Sequence, residues 1–152
     1  MIIEEFMSRN LEYASMTDSL QQAVRKMTDK NVSSLVVVDM NNIPTGLVTE
    51  RDIVRKACSR EQLNCSTFRV SEIMTSSPVT IVSEATPEEA AELFLKNKIR
   101  HLLVIDKNTR KAVGTITPMD FTRYREHMRR KGQVGKSEED SAIEKILDYY
   151  RD

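Results

Sequence analysis

Two stretches of the chain place a glycine, a threonine and an aspartate at the same spacing: Gly46-Leu47-Val48-Thr49-Glu50-Arg51-Asp52 and Gly114-Thr115-Ile116-Thr117-Pro118-Met119-Asp120. Gly-x-x-Thr-x-x-Asp reads as a strand whose end turns into a helix, with Thr as the N-cap and Asp at the third helical position. Such a turn points a hydroxyl and a carboxylate the same way, which is hydrogen-bonding chemistry. A pair of ordinary helix caps would use the same residues, and one copy alone leaves both readings open. The duplicated glycine shifts the weight, because Gly occurs four times in 152 residues and two of the four hold equivalent places. A backbone without a Cβ permits a close approach there. Catalysis finds little support. There is no Ser/His/Asp set, no His-Glu-x-x-His and no Gly-rich phosphate loop, since Gly132 and Gly135 lie in a linker. Asp52 and Asp120 as paired acids would lack any other candidate group beside them.

The elements that must carry these turns also come twice. Met7 matches Met74, Ala23 matches Ala90, and Leu35, Val37 and Asp39 match Leu102, Val104 and Asp106. After one extra hairpin residue, Gly46, Thr49, Asp52 and Arg55 match Gly114, Thr117, Asp120 and Arg123. Leu11 to Ser15 and Val79 to Val82 are short extended segments, the second clearer for its β-branched Thr80-Ile81-Val82. Ser19 with Gln22 and Thr86 with Glu89 form capping boxes, the second reinforced by Pro87, and both open amphipathic helices. Met27 and Phe94 on their apolar stripes read as core. Leu35-Val36-Val37-Val38 and Leu102-Leu103-Val104-Ile105 are too short for helices and read as strands buried on both faces. Turn residues, a third strand and a last helix follow in each copy, so each unit is strand, helix, strand, strand, helix. A unit of this size buries little surface alone. The expected fold is therefore α/β (α+β): two β-α-β-β-α repeats packed through their sheets with pseudo-twofold symmetry, plus a C-terminal helix. The repeats span 6–58 and 70–131, with a connector at 59–69 and a linker and amphipathic helix at 132–152. Pseudo-symmetry would set the two Thr/Asp turns on opposite walls of one inter-repeat cleft.

Lys plus Arg equals Asp plus Glu at 23 each, so no overall field draws the protein to nucleic acid or to an anionic membrane. No apolar run approaches the roughly 18 residues needed to cross a bilayer, and the expectation is a soluble, cytoplasmic protein. Cys58 and Cys65 lack the close Cys/His pairing of zinc sites and are expected to be reduced thiols.

Taken together, the Met7 and Met74 openings, the Val-Val-Val-Asp39 and Leu-Val-Ile-Asp106 strands and the two Gly-x-x-Thr-x-x-Asp turns resemble the CBS domain, the cystathionine-β-synthase type. The chain looks like a stand-alone tandem pair of such domains over roughly residues 6 to 131. The resemblance implies a non-catalytic regulatory or energy-sensing module that binds adenosine-containing ligands such as AMP, ADP, ATP or S-adenosylmethionine derivatives. By that likeness Asp52 and Asp120 accept from ribose hydroxyls, and Thr49 and Thr117 contact ribose or the first phosphate. A vicinal diol offers two adjacent donors that one fixed carboxylate can accept, and free helix N–H groups nearby favour an anion. Thr80 is a weaker candidate near the base. Arg100 and His101 precede the second buried strand, where the family often has basic residues and the first copy has Ser33 and Ser34. In the family the phosphate often reaches the opposite repeat, so these two are assigned to the Asp52 site, with Arg51 assisting. Arg51 could equally be a solvated helix face and His101 a structural histidine. No metal site and no catalytic cofactor is expected.

The tail lies outside the resemblance. Arg123, Arg125, Arg129, Arg130 and Lys131 form a basic cluster, and Ser137-Glu-Glu-Asp starts a helix with Ile143, Ile146, Leu147 and Tyr150 on one side. That stripe must be buried on its own domain, across a homodimer or on a partner protein. Two other readings stand beside the nucleotide-responsive homodimer with an unknown target protein. One is a ligand-free dimerising scaffold that uses the terminal helix. The other is a nucleic-acid accessory, disfavoured by the zero net charge and by the lack of aromatic residues interleaved with the basic cluster beyond Tyr124.

Overall fold

The computed structural model describes residues 1–57, 67–132 and 138–151, with backbone only for 138–141. Cys58 and Cys65 lie outside the described residues. The chain forms two compact units, each built around one sheet.

The first unit takes the described residues of Asn10–Pro78 with Arg110–Ala112. Its elements are β1 (Tyr13–Ser15), α1 (Leu20–Lys30), β2 (Ser34–Val38), β3 (Pro44–Thr49), a short helical turn α2 (Glu50–Asp52), α3 (Val70–Ile73) and β4 (Thr75–Ser76). The expected capping box opens α1: Gln22 N–H donates to Ser19 Oγ at 3.1 Å, and Ser19 N–H donates to Gln22 Oε1 at 2.8 Å. Asn31, in the left-handed region at φ 52°, ends it. The sheet order is β1-β2-β3-β4, with β2 parallel to β1 and antiparallel to β3. Leu35, Val36 and Val37 on β2 are wholly buried, as the unbroken apolar run requires. Each such side chain contributes about 1.5 to 3 kcal/mol. The helix expected after β3 differs from an ordinary α-helix. After α2 it widens into a π-helical turn over Ile53–Ala57, which buries Ala57 and leaves Val54 exposed. The β-branched pair Ile53-Val54 is a poor filler for a tight α turn.

The second unit takes the described residues of Met1–Arg9, Val79–Thr109 and Val113–Asp152. It holds β5 (Thr80–Val82), α4 (Pro87–Asn97), β6 (Leu102–Ile105), all but the first residue of β7 (Ala112–Ile116), α5 (Pro118–Arg130) and α6 (Glu138–Tyr149). Its sheet order is β5-β6-β7, with β5 parallel to β6. The segment Asp106–Lys111 between β6 and β7 is too short for a parallel crossover, so these neighbours run antiparallel. Phe94 of α4 and Phe121 of α5 are wholly buried and meet edge to face at 5.8 Å. The stripe of α6 is seated in the same core: Ile143 and Ile146 are buried there, and α6 packs on α4 and α5. Of the destinations open to this helix, its own unit is the one it occupies.

The glycines of the duplicated turns serve a purpose in the backbone. Each sequence repeat opens with a segment that packs in the other repeat's unit. In the first unit, β4 pairs antiparallel with Gly46 and Leu47, and a Cβ on Gly46 would lie 2.5 Å from Met74 Sδ and 3.2 Å from the Thr75 carbonyl. In the second, Ser8 bridges to Thr115, and a Cβ on Gly114 would lie 2.6 Å from Met7 Sδ and 2.8 Å from the Ser8 carbonyl. A methionine side chain can move, but a carbonyl held by a strand bridge cannot move cheaply. Gly114→Ala is therefore expected to destabilise the protein by about 1 to 3 kcal/mol, and Gly46→Ala by less. Urea melts of the two variants compare them; equal losses would contradict this account of the glycines.

Candidate functional site

Each Gly-x-x-Thr-x-x-Asp turn forms as the pattern requires, with the threonine in extended backbone and the aspartate at the third helical position. In the first, Thr49 N–H donates to Asp52 Oδ2 at 3.1 Å and the Thr49 hydroxyl donates to the same oxygen at 3.0 Å. Asp52 N–H donates back to Thr49 Oγ1 at 3.1 Å. In the second, Thr117 N–H and hydroxyl reach Asp120 Oδ2 at 2.8 and 3.1 Å, while Asp120 N–H donates to the Thr117 carbonyl at 3.0 Å. The hydroxyl and the carboxylate thus face each other. What each turn holds out is the other carboxylate oxygen, Oδ1.

That oxygen already has a cation beside it in both copies. Asp52 Oδ1 is 3.2 Å from Lys56 Nζ and accepts from the Thr75 hydroxyl at 3.4 Å. The π-helical turn carries Lys56, whose ammonium also donates to the Ile73 carbonyl at 3.0 Å. Asp120 Oδ1 is 3.3 Å from the Arg123 guanidinium. Asp-x-x-x-Lys and Asp-x-x-Arg put the partners on one helix face, so the spacing was there to be read. Asp120 is the more enclosed, with its side chain 3% exposed against 15% for Asp52. Burial pushes the Asp120 carboxyl above its ordinary value, outweighing the Thr117 hydrogen bonds and Arg123, which pull it down.

Strand order gathers the rest. In the first unit, β1 and β2 start where β3 ends, and Glu50 N–H donates to the Ser33 carbonyl at 3.1 Å. In the second, Thr80 starts β5, Arg100 and His101 precede β6, and Thr117 follows β7, so these three strand ends and Asp120 share one end of the sheet. Thr49, Arg51 and Asp52 belong to the first unit, where Arg51 is exposed on α2. Arg100 is also exposed, and its guanidinium carbon lies 5.6 Å from the centroid of the Tyr150 ring on the chain end after α6. The repeated aspartates Asp39 and Asp106 are turn formers. Asp106 Oδ1 accepts from the Thr109 and Asn108 amides at 2.7 and 2.9 Å, and the Thr109 bonds lead in holding its carboxyl below the usual value.

Within the basic cluster, Arg123 is drawn to Asp120, and Arg125 pairs with Glu144 of α6 at 2.8 Å. Among the described residues no group of three His, Cys, Asp or Glu could hold a metal ion. No described helix is long and apolar enough to cross a membrane.

Comparison with known proteins yields a consistent picture. The family model of the CBS domain matches residues 3–58 and 70–127. The chain is 30% identical over 121 residues to the uncharacterized protein YlbB of Bacillus subtilis, covering 79% of each. It is 32% identical over 90 residues to the CBS domain-containing protein CBSCBSPB1 of Arabidopsis thaliana, a match over 59% of this chain but only 16% of that relative. Among solved structures, CBSX2 in complex with AMP superposes with a TM-score of 0.70 at 27% identity, covering 84% of this chain and 98% of that one.

The Asp120 environment has a consequence for stability against pH. With its carboxyl raised, the folded protein holds that proton more tightly than the unfolded chain does. Its contribution is therefore most favourable below the ordinary carboxylate value, and it is lost as pH rises through the raised one. Asp120→Asn removes that dependence. Urea melts at about pH 4 and about pH 7 are expected to show the wild type losing stability relative to Asp120→Asn as pH rises. A gain instead would mean that Arg123 and Thr117 outweigh burial.

Proposed function

Because the chain belongs to the CBS-domain family, we propose that it is a non-catalytic regulatory module that binds an adenosine-containing ligand of the AMP type. The observation that carries this reading is the duplicated Thr/Asp turn, in a chain that superposes along most of its length on a relative solved with AMP. In each turn the threonine amide and hydroxyl fix one carboxylate oxygen and so orient the other for a ribose diol. Lys56 and Arg123 neutralise the carboxylates and would give way to, or share them with, the hydroxyl donors. Thr49 and Thr117 border the ribose, and Thr80 sits at a strand start suited to base contacts. Arg100 and His101 in the second unit, and Arg51 in the first, are the cations available for phosphate. The module works as a homodimer in the cytoplasm and passes the state of its ligand site to a target protein.

The scaffold reading loses the terminal helix, whose Ile143 and Ile146 are buried in its own unit, and keeps exposed apolar side chains such as Val54 at 63% and Met119 at 60%. A melting panel separates the two. A ligand at a hundredfold over its Kd adds about 2.7 kcal/mol, or roughly 5 to 10 °C in Tm for a chain of this size. AMP, ADP or ATP is expected to give such a shift, and Asp120→Ala or Asp52→Ala to lower the calorimetric stoichiometry by one site each. If no adenosine compound moves the transition, the sensor reading falls and the scaffold reading takes its place.

A further inference from the structure

The C-terminal helix closes on the short loop that carries two of the candidate phosphate residues. α4 ends at Lys98, in the left-handed region at φ 52°, and Ile99, Arg100 and His101 lead from there into β6. The Tyr150 hydroxyl donates to the carbonyl of Ile99, just past the α4 C-cap, and lies 3.3 Å from the carbonyl of Phe94, one of the last-turn groups a helix end leaves without an intrahelical partner. Its ring meets Phe94 edge to face at 6.2 Å and lies under the Arg100 guanidinium at 5.6 Å. A guanidinium over an aromatic ring uses its face and leaves its N–H edge for a phosphate. Ile143 and Ile146, buried in the core, keep α6 and hence Tyr150 in place.

We propose that Tyr150 is a positioning residue for phosphate recognition: it fixes the α4–β6 loop through its hydroxyl and holds Arg100 through its ring, so that the phosphate of a nucleotide meets a preorganised cation. This rests on the reading of Arg100 as a phosphate ligand. It assigns α6, which lies beyond the family match, a role in choosing phosphorylated over unphosphorylated adenosine compounds. Ordering the loop in the folded protein removes an entropy cost that binding would otherwise carry. The coupling is reciprocal, so a bound nucleotide strengthens the docking of α6.

The test compares AMP with adenosine by calorimetry on the full chain carrying Tyr150→Phe, Tyr150→Ala, Arg100→Ala and the Tyr150→Ala/Arg100→Ala pair. Tyr150→Ala is expected to weaken AMP by about three- to tenfold, in the range of a cation–π contact, and to leave adenosine unchanged. The pair should lose no more than Arg100→Ala alone. Tyr150→Phe keeps the ring, and hydrogen exchange at residues 99–101 should quicken in it without any ligand. A purely structural role would weaken AMP and adenosine alike, and that result would overturn the proposal. So would losses that add in the double variant. If Arg100→Ala weakens AMP while Tyr150→Ala does not, the positioning role is wrong and the nucleotide reading stands. If neither compound binds the wild type, the nucleotide reading fails and takes this role with it.

Discussion

The hydrogen bond from a threonine amide to an aspartate three residues later is the constraint on which the rest depends. It closes the passage from β3 to α2 and from β7 to α5, at 3.1 Å in one copy and 2.8 Å in the other. One oxygen of each carboxylate is consumed in stabilising the helix start, as in any capping box. The second oxygen is then fixed in direction by the first. A carboxylate held this way loses little freedom when it accepts a ligand hydroxyl, and a residue that began as a cap becomes able to select.

The two copies keep that bond and differ around it. Asp52 sits beside Lys56 on a π-helical turn and also accepts from Thr75, so it is tied to the segment that supplies α3 and β4. Asp120 is more enclosed, sits beside Arg123 on a regular helix, and shares its sheet end with Arg100 and His101. A carboxylate almost wholly desolvated beside one guanidinium and a slightly more open one beside an ammonium and a hydroxyl are unequal hydrogen-bond acceptors. Duplication has therefore produced two related turns with different electrostatics.

Much of this was legible in the residues. The capping boxes at Ser19 and Thr86, the unbroken apolar strands and the duplicated turns follow from local rules, because each is decided within a few residues of chain. Phe94 and Met27 went to the core for the same reason. What could not be read is long-range. The glycines promised a close approach, but nothing in the local pattern said that Met7-Ser8 and Met74-Thr75 would be what approaches. The π-helical widening at Ile53–Ala57 was hidden because the same residues also satisfy an α-helical pattern. By its spacing Tyr150 is one more apolar position on the last helix; its hydroxyl reaches the end of α4 only through tertiary packing.

On the proposed reading, the carboxylate oxygen left over by each turn receives the sugar of a nucleotide. A crystal structure of the protein grown with AMP tests it most directly. The account predicts ribose hydroxyls within hydrogen-bond distance of Asp52 Oδ1 or Asp120 Oδ1, with Lys56 or Arg123 shifted to make room. AMP bound with its ribose away from both aspartates, and both ion pairs intact, would contradict it.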